Sequence, residues 1–223
     1  FMGLVFIYGL LHYFNFNPQV FGTAAIPQFE LTTVVGAVTT VVCFALFVCT
    51  AMIYACLKFL EEWHSPLTVV NYTLLGMASG FTLATAFAHQ QGSALYGFFG
   101  MWAIIFTLAA FLTRGASLIR NSRIKHRSNL QTAIGVRHNR IQQKAQGSMG
   151  GSFNTREFFH GKTAVFIRSV KWIFLLAVFA LPLMLIPVGL EEKSTGIFVA
   201  AFVAQYLGLL AERWFFFAQA KHP

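Results

Sequence analysis

The stretch Leu31–Leu57, LTTVVGAVTTVVCFALFVCTAMIYACL, contains no charged side chain. An α-helix needs about 20 predominantly apolar residues to cross the hydrocarbon layer of a bilayer. It also closes its own backbone hydrogen bonds, which lipid cannot do for it. The stretch therefore reads as a transmembrane helix. Four more follow: Leu67–Ala88, Ser93–Thr113, Trp172–Leu190 and Gly196–Gln219, the last interrupted only by Glu212-Arg213. Phe1–Phe14 is apolar but too short to span. The chain opens in mid-hydrophobic sequence at Phe1-Met2-Gly3, with no charged leader, so further helices are expected upstream. The expected fold class is an all-α integral membrane protein, a polytopic helical bundle of five complete spans and one partial N-terminal span. Residues 1–223 are expected to form a single transmembrane domain.

Composition agrees. Of 223 residues, 57% are hydrophobic and 10% charged, and Asp is absent. Soluble domains carry about a quarter charged residues. Five such helices in a soluble protein would need a polar shell that this sequence lacks.

The net charge of +9 reads as topology. Twelve of the sixteen Lys and Arg residues lie from Arg114 to Lys171. Basic residues collect in loops left on the cytoplasmic side. The connection after Phe14 has no Lys or Arg and is assigned outside. The turn Glu61–Pro66, with Lys58 at its edge, is inside, and the neutral turn His89–Gly92 is outside. The basic segment 114–163 is a cytoplasmic loop. The turn Glu191–Lys193 is outside, and the C-terminus with Arg213 and Lys221 is inside. A nucleic-acid protein would show a folded basic face or a recognisable motif, and neither is present, so no nucleic-acid partner is expected. Within the loop, Gly147–Gly151 has linker chemistry and Arg120–Lys144 has the composition of a surface helix. The loop either rests near anionic headgroups or docks a soluble partner.

Cys43, Cys49 and Cys56 share one span, with neither CxxC spacing nor a zinc or iron–sulfur pattern. They read as packing residues, and no metal site is expected. Gly76 and Gly80 form a GxxxG spacing that favours close helix approach. His12 and His89 sit at the outer ends of their helices. They could be haem ligands, but a wetted interfacial histidine is the ordinary explanation, and no haem is expected. A transporter is disfavoured because no internal repeat and no mid-span charge is visible.

The inner-end cluster is the candidate site. Tyr54 and Lys58 share a face at i, i+4. Trp63, His64, Asn71 and Tyr72 follow, and Glu212, Arg213 and Trp214 sit near the inner end of the last span. The bland reading is an interfacial aromatic and basic belt with a Glu212 ion pair. The functional reading is a quinone site, which needs an apolar slot, a hydrogen-bond donor and a proton path.

Met52–Lys58, Trp63-His64-Ser65-Pro66-Leu67-Thr68 and Asn71-Tyr72 resemble the membrane anchor subunit of dimethyl-sulfoxide-reductase-type complexes. Thr155–Lys162 and Ala211–His222, with its Glu-Arg-Trp-Phe-Phe-Phe-Ala run, are similar to later landmarks of that family. The resemblance covers essentially the whole chain. It implies an eight-helix anchor in the bacterial cytoplasmic (inner) membrane, whose third to eighth helices would be the spans here. Such an anchor holds an iron–sulfur subunit and a molybdopterin catalytic subunit, which carry those cofactors, and exchanges electrons with the quinone pool. The family's His-Leu-Gly motif and Ser-Arg-Glu segment would lie upstream of Phe1. Tyr54, Lys58, Trp63, His64, Asn71, Tyr72 and Arg213 would border the quinone. Arg156, Glu212 and Lys221 would face a partner. The long basic loop and the C-terminal run look more like the sulfite-oxidising type than the sulfoxide-reducing one. Neither the substrate nor the direction of electron flow is written in this chain.

Overall fold

The computed structural model describes residues 1–21, 29–58, 60–125, 131–132, 135, 137–138 and 163–220. The chain divides into two compact units, Phe1–Ile53 and Tyr54–Pro223. Among the described residues, five helices are long and apolar enough to cross a membrane. The expected all-α polytopic membrane fold is observed.

The first unit contains helix α1 (Met2–Tyr13), strands β1 (Gln19–Phe21) and β2 (Phe29–Glu30), and most of helix α2 (Leu31–Ala55). The strands pair antiparallel, Gln19 opposite Glu30 and Phe21 opposite Phe29. Sequence reading expected only a loop here. Asn17 organises the junction: its Oδ1 accepts from the Thr32 amide at 3.1 Å and from Thr32 Oγ1 at 3.0 Å. The Thr32 amide belongs to the first turn of α2, where amides lack a partner within the helix. α1 packs on α2 where Tyr8 meets Gly36. A β-carbon at Gly36 would sit 3.3 Å from the ring.

The second unit contains α3 (Pro66–Gln90), α4 (Tyr96–Ser122), α5 (Ala164–Glu192) and α6 (Thr195–Ala218). Ser65 caps α3 by accepting from the Leu67 amide at 3.2 Å, and Pro66 occupies the first turn, where a missing amide costs nothing. α3 packs chiefly on α4, and α6 packs on α3 and α5. At one end, Ala86, Ala103, Ile186, Phe198 and Ala201 form a buried core. A second core joins Leu75, Ala110, Phe174, Val178, Phe179 and Phe215. Threonines inside the bundle return their hydroxyls to their own helix: Thr82 to Ala78 O at 2.8 Å, Thr85 to Phe81 O at 2.8 Å, Thr107 to Ala103 O at 2.7 Å. A polar group in a dry interior is thereby satisfied locally.

α5 contains one wide turn, Leu176–Ala180, in which the Leu181 amide reaches back to Leu176 O. Pro182 follows and has no amide to offer Val178 O. Gln205 of α6 replaces it: its Nε2 donates to Val178 O at 3.3 Å and to Thr107 Oγ1 at 3.4 Å. Gly208, one turn along α6, lets that backbone approach. A β-carbon there would lie 2.9 Å from the Val178 amide nitrogen. The expected close approach at Gly76–Gly80 is not found at Gly80, which is exposed, with nothing within 4 Å of a β-carbon position. The close approaches are at Gly208, at Gly189 against the Phe198 ring and at Gly100 against Leu190.

Two expected boundaries move. α2 ends at Ala55, short of the expected Leu57. Tyr54 and Lys58 therefore do not share a helical face. α4 runs to Ser122, so Arg114 belongs to a helix and not to the basic loop. Most of that loop lies outside the described residues.

Candidate functional site at the charged end of the second unit

The α2–α3 turn and the C-terminal ends of α4 and α6 meet at one end of the second unit. Glu212 of α6 is fully buried there, and Arg114 of α4 is 2% exposed. Arg114 Nη2 lies 2.8 Å from Glu212 Oε1, an ion pair by distance without hydrogen-bond geometry. Arg213 binds the other oxygen, with Nη2 at 2.8 Å and Nε at 2.9 Å from Glu212 Oε2. One buried carboxylate thus sits between two guanidiniums. Its expected role as a partner-facing residue is corrected: Glu212 has no exposed surface in this unit. Ionised groups inside a spanning segment are costly and need such pairing.

Aromatic packing holds Arg213 in place. Its guanidinium carbon stands 4.1 Å from the centre of the Tyr72 ring and 5.1 Å from that of Phe216, within cation–π range. Tyr72 stacks with Tyr54 at 6.2 Å between ring centres. Tyr54 meets Trp63 edge-on at 5.3 Å, and Trp63 stacks on Phe216 at 5.1 Å with an 8° interplanar angle. Trp63 Nε1 donates to Phe216 O at 3.1 Å, capping a carbonyl in the last turn of α6. Thr68 Oγ1 donates to Trp63 O at 2.7 Å and ties the turn to α3. Asn71 Nδ2 donates to Ser117 Oγ at 2.9 Å and joins α3 to α4.

Tyr54, Trp63, Asn71, Tyr72 and Arg213 are thus brought together, as expected, but they fill the space between them. The void beside Asn71, Tyr72, Arg114, Glu212 and Arg213 measures about 10 Å³, room for about one water. It cannot admit a quinone ring. Lys58 and His64 lie elsewhere, on the outside of the turn. With Glu61 and Arg120 they line an open pocket of about 410 Å³. His64 Nδ1 is 2.6 Å from Ala55 O. A carbonyl only accepts, so Nδ1 carries the proton and Nε2 is left for a ligand. Arg120 braces the pocket: Nη2 donates to Glu61 O at 3.0 Å and His64 O at 3.3 Å, and Nη1 donates to Asn121 Oδ1 at 3.0 Å.

Arg114, Ser117, Arg120 and Asn121 are site residues that sequence reasoning missed. A signal for them exists: Arg114, Ser117 and Asn121 recur at i, i+3 and i+7, one face of a helix. Arg156 and Lys221 lie outside the described residues. At the other end of the unit, His89 Nδ1 is 2.7 Å from Thr195 Oγ1 and links α3 to α6.

The family model described as DMSO reductase anchor subunit (DmsC) matches residues 20–218. The chain is 50% identical over 222 residues to the sulfite dehydrogenase C-subunit of Allochromatium vinosum, covering 100% of this chain and 68% of that protein. No solved structure matches it. The family match over residues 20–218 and the relative aligned along the whole chain show that this chain, a protein of membrane-length helices, belongs to the DMSO reductase anchor subunit family.

Proposed function

We propose that the protein is the membrane anchor of a sulfite-oxidising molybdopterin complex, passing electrons from an iron–sulfur subunit to a quinone. It is set in the bacterial cytoplasmic membrane with its charged end inside, where the two soluble subunits dock. Family membership supports the anchor role, and the name of the Allochromatium relative supports sulfite as the electron source. The observation that carries the quinone reading is the open pocket of about 410 Å³ lined by Lys58, Glu61, His64 and Arg120. Its size falls in the range of about 300–1,000 Å³ typical of small-molecule sites.

The balance of the reaction sets what the pocket must do. Sulfite and water yield sulfate, two protons and two electrons at the catalytic subunit. The quinone takes two electrons and two protons to become the quinol. The cationic Lys58 and Arg120 stabilise charge developing on the quinone oxygens as electrons arrive. His64, whose Nδ1 is committed to Ala55 O, would relay a proton through Nε2 to one quinone oxygen, taken up at the open mouth of the pocket. With sulfoxide as the terminal acceptor the same groups run in reverse, His64 accepting a proton from the quinol.

The test is sulfite:quinone oxidoreductase activity of the purified complex carrying His64→Ala. The expected outcome is a KM for quinone raised about tenfold, the worth of one hydrogen bond to a charged donor. Sulfite oxidation with an artificial acceptor should be unchanged. Unaltered quinone kinetics would remove His64 and this pocket from the reaction. Activity only with sulfoxide and reduced quinone would reassign the substrate while leaving the pocket in place.

A further inference from the structure

The void inside the charged cluster takes no part in the quinone reading. Polar atoms of its lining are buried with no hydrogen-bond partner among the described residues: Asn71 Oδ1 on α3, Arg114 Nε on α4, and Glu212 Oε1 and Arg213 Nη1 on α6. Asn71 is 4% exposed, Arg114 2% and Glu212 0%. The direct contacts leave these atoms over. Asn71 Nδ2 is engaged with Ser117 Oγ at 2.9 Å, and Glu212 Oε2 with Arg213. Arg114 Nη2 stands 2.8 Å from Glu212 Oε1 without hydrogen-bond geometry, so the charges of that pair are met and its hydrogen bonds are not. Native interiors leave few such atoms, and several around one void point to a ligand that satisfies them together.

The chemistry of the lining restricts that ligand. Asn71 Oδ1 and an ionised Glu212 Oε1 only accept hydrogen bonds, whereas Arg114 Nε and Arg213 Nη1 only donate. With Glu62, the lining carries two carboxylates against two guanidiniums, so its formal charge is balanced. An anion would meet Glu212 and the Asn71 oxygen. A metal cation would meet Arg114 and Arg213. The set calls for a neutral molecule that both gives and takes hydrogen bonds. The volume of about 10 Å³ holds about one water and nothing larger.

We propose that one water molecule is a permanent constituent of this cluster, donating to Asn71 Oδ1 and Glu212 Oε1 and accepting from Arg114 Nε and Arg213 Nη1. Two hydrogens and two lone pairs are the complement of that set. The water joins α3, α4 and α6 at one point. It also supplies the solvation that lets Arg114 and Glu212 stay ionised inside the bundle. The site stands whether or not a quinone enters the open pocket.

The experiment is a high-resolution crystal structure of the purified native assembly, with a second data set from crystals grown in rubidium bromide and measured for anomalous scattering. One peak is expected in the void, about 2.7–3.2 Å from Asn71 Oδ1 and Arg114 Nε, with no anomalous signal from either ion. A void without a peak overturns the proposal, and so does a peak that rubidium or bromide replaces. Asn71→Leu puts an apolar side chain of similar volume against the void and should lose the peak. Ser117→Ala removes only the direct bond to Asn71 and should keep it. A peak that survives Asn71→Leu, or one that Ser117→Ala abolishes, overturns the assignment. Infrared spectra of the same proteins in ordinary and heavy-oxygen water give a readout that needs no crystal. The difference between the parent and Asn71→Leu should contain a water band that shifts with the oxygen isotope, and a difference without that band overturns the proposal.

Discussion

Replacing Glu212 with Gln is the sharpest probe of the buried charge cluster. The amide keeps the volume of the carboxylate and removes its charge. It then offers one oxygen where two guanidiniums are held, Arg114 at 2.8 Å and Arg213 at 2.8–2.9 Å. One of them must face an NH₂ donor. Arg213 has alternatives: its side chain is 27% exposed, and it lies over Tyr72 and Phe216. Arg114 is left buried beside the neutral amide, with its side chain 3% exposed. Stranding one member of a buried pair costs about 3–5 kcal/mol. For a chain of this length each kcal/mol moves Tm by about 2–4 °C, so Glu212→Gln should lower Tm by roughly 6–20 °C. The assay is thermal unfolding of the purified protein in detergent, followed by tryptophan fluorescence. Arg114→Met/Glu212→Met removes both charges together and should recover most of the loss, because an apolar pair of similar volume often matches a buried ion pair. A Glu212→Gln shift under about 2 °C, or a double variant no better than the single, would refute the reading of Arg114 as a cation held by Glu212.

Other substitutions test the packing that presents this cluster. Gly208→Ala should destabilise by about 1–3 kcal/mol, since its β-carbon would sit 2.9 Å from the Val178 amide nitrogen; the same unfolding assay reads it. Gln205→Leu should cost about 1–3 kcal/mol by leaving Val178 O without the donor that stands in for Pro182, and hydrogen exchange should rise locally around Leu176–Pro182. Trp63→Phe keeps the stack on Phe216 but removes the donor to Phe216 O. It should cost about 1 kcal/mol and loosen the last turn of α6, again visible by hydrogen exchange.

The spans were legible because hydropathy is a property of each segment alone. Leu67–Ala88 and Gly196–Gln219 fall within a few residues of α3 and α6. What was lost depends on neighbours far away in sequence. Arg114 looked like the start of a loop because a charge ends a hydropathy window. Only Glu212, on another helix, makes a helical arginine tolerable at that depth. The aromatic group was visible as Tyr54, Trp63, Tyr72 and Arg213, but the sequence could not say whether such groups surround a slot or fill one. Ring stacking at 5–6 Å decides for filling. The wide turn at Leu176–Ala180 was hidden for a related reason. Pro182 announces a missing amide, but Gln205, the residue that answers it, is on α6.

Polarity along the second unit is graded, and the gradient argues for where chemistry belongs. At the His89 end the buried core is alanine, isoleucine and phenylalanine, and Thr82, Thr85 and Thr107 bond within their own helices. Among the described residues there, the polar links between helices are neutral: His89 to Thr195 and Gln205 to Thr107. At the opposite end Glu62, Arg114 and Glu212 are buried within a few turns of the helix termini. Each costs desolvation that apolar residues would avoid. The charges also brace the surface: Arg114 and Arg213 pin α4 and α6 around Glu212, and Arg120, two turns further along α4, holds the carbonyls of the turn that carries Lys58 and His64. The closed ion cluster therefore acts as scaffold, and the open pocket on the far side of the turn as the place where a ligand is met. Loss of the cluster should loosen that pocket, so Glu212→Gln is expected to raise the KM for quinone even though Glu212 does not line the pocket. His64→Ala should do so with a much smaller fall in Tm, about 2–4 °C for the lost hydrogen bond to Ala55 O.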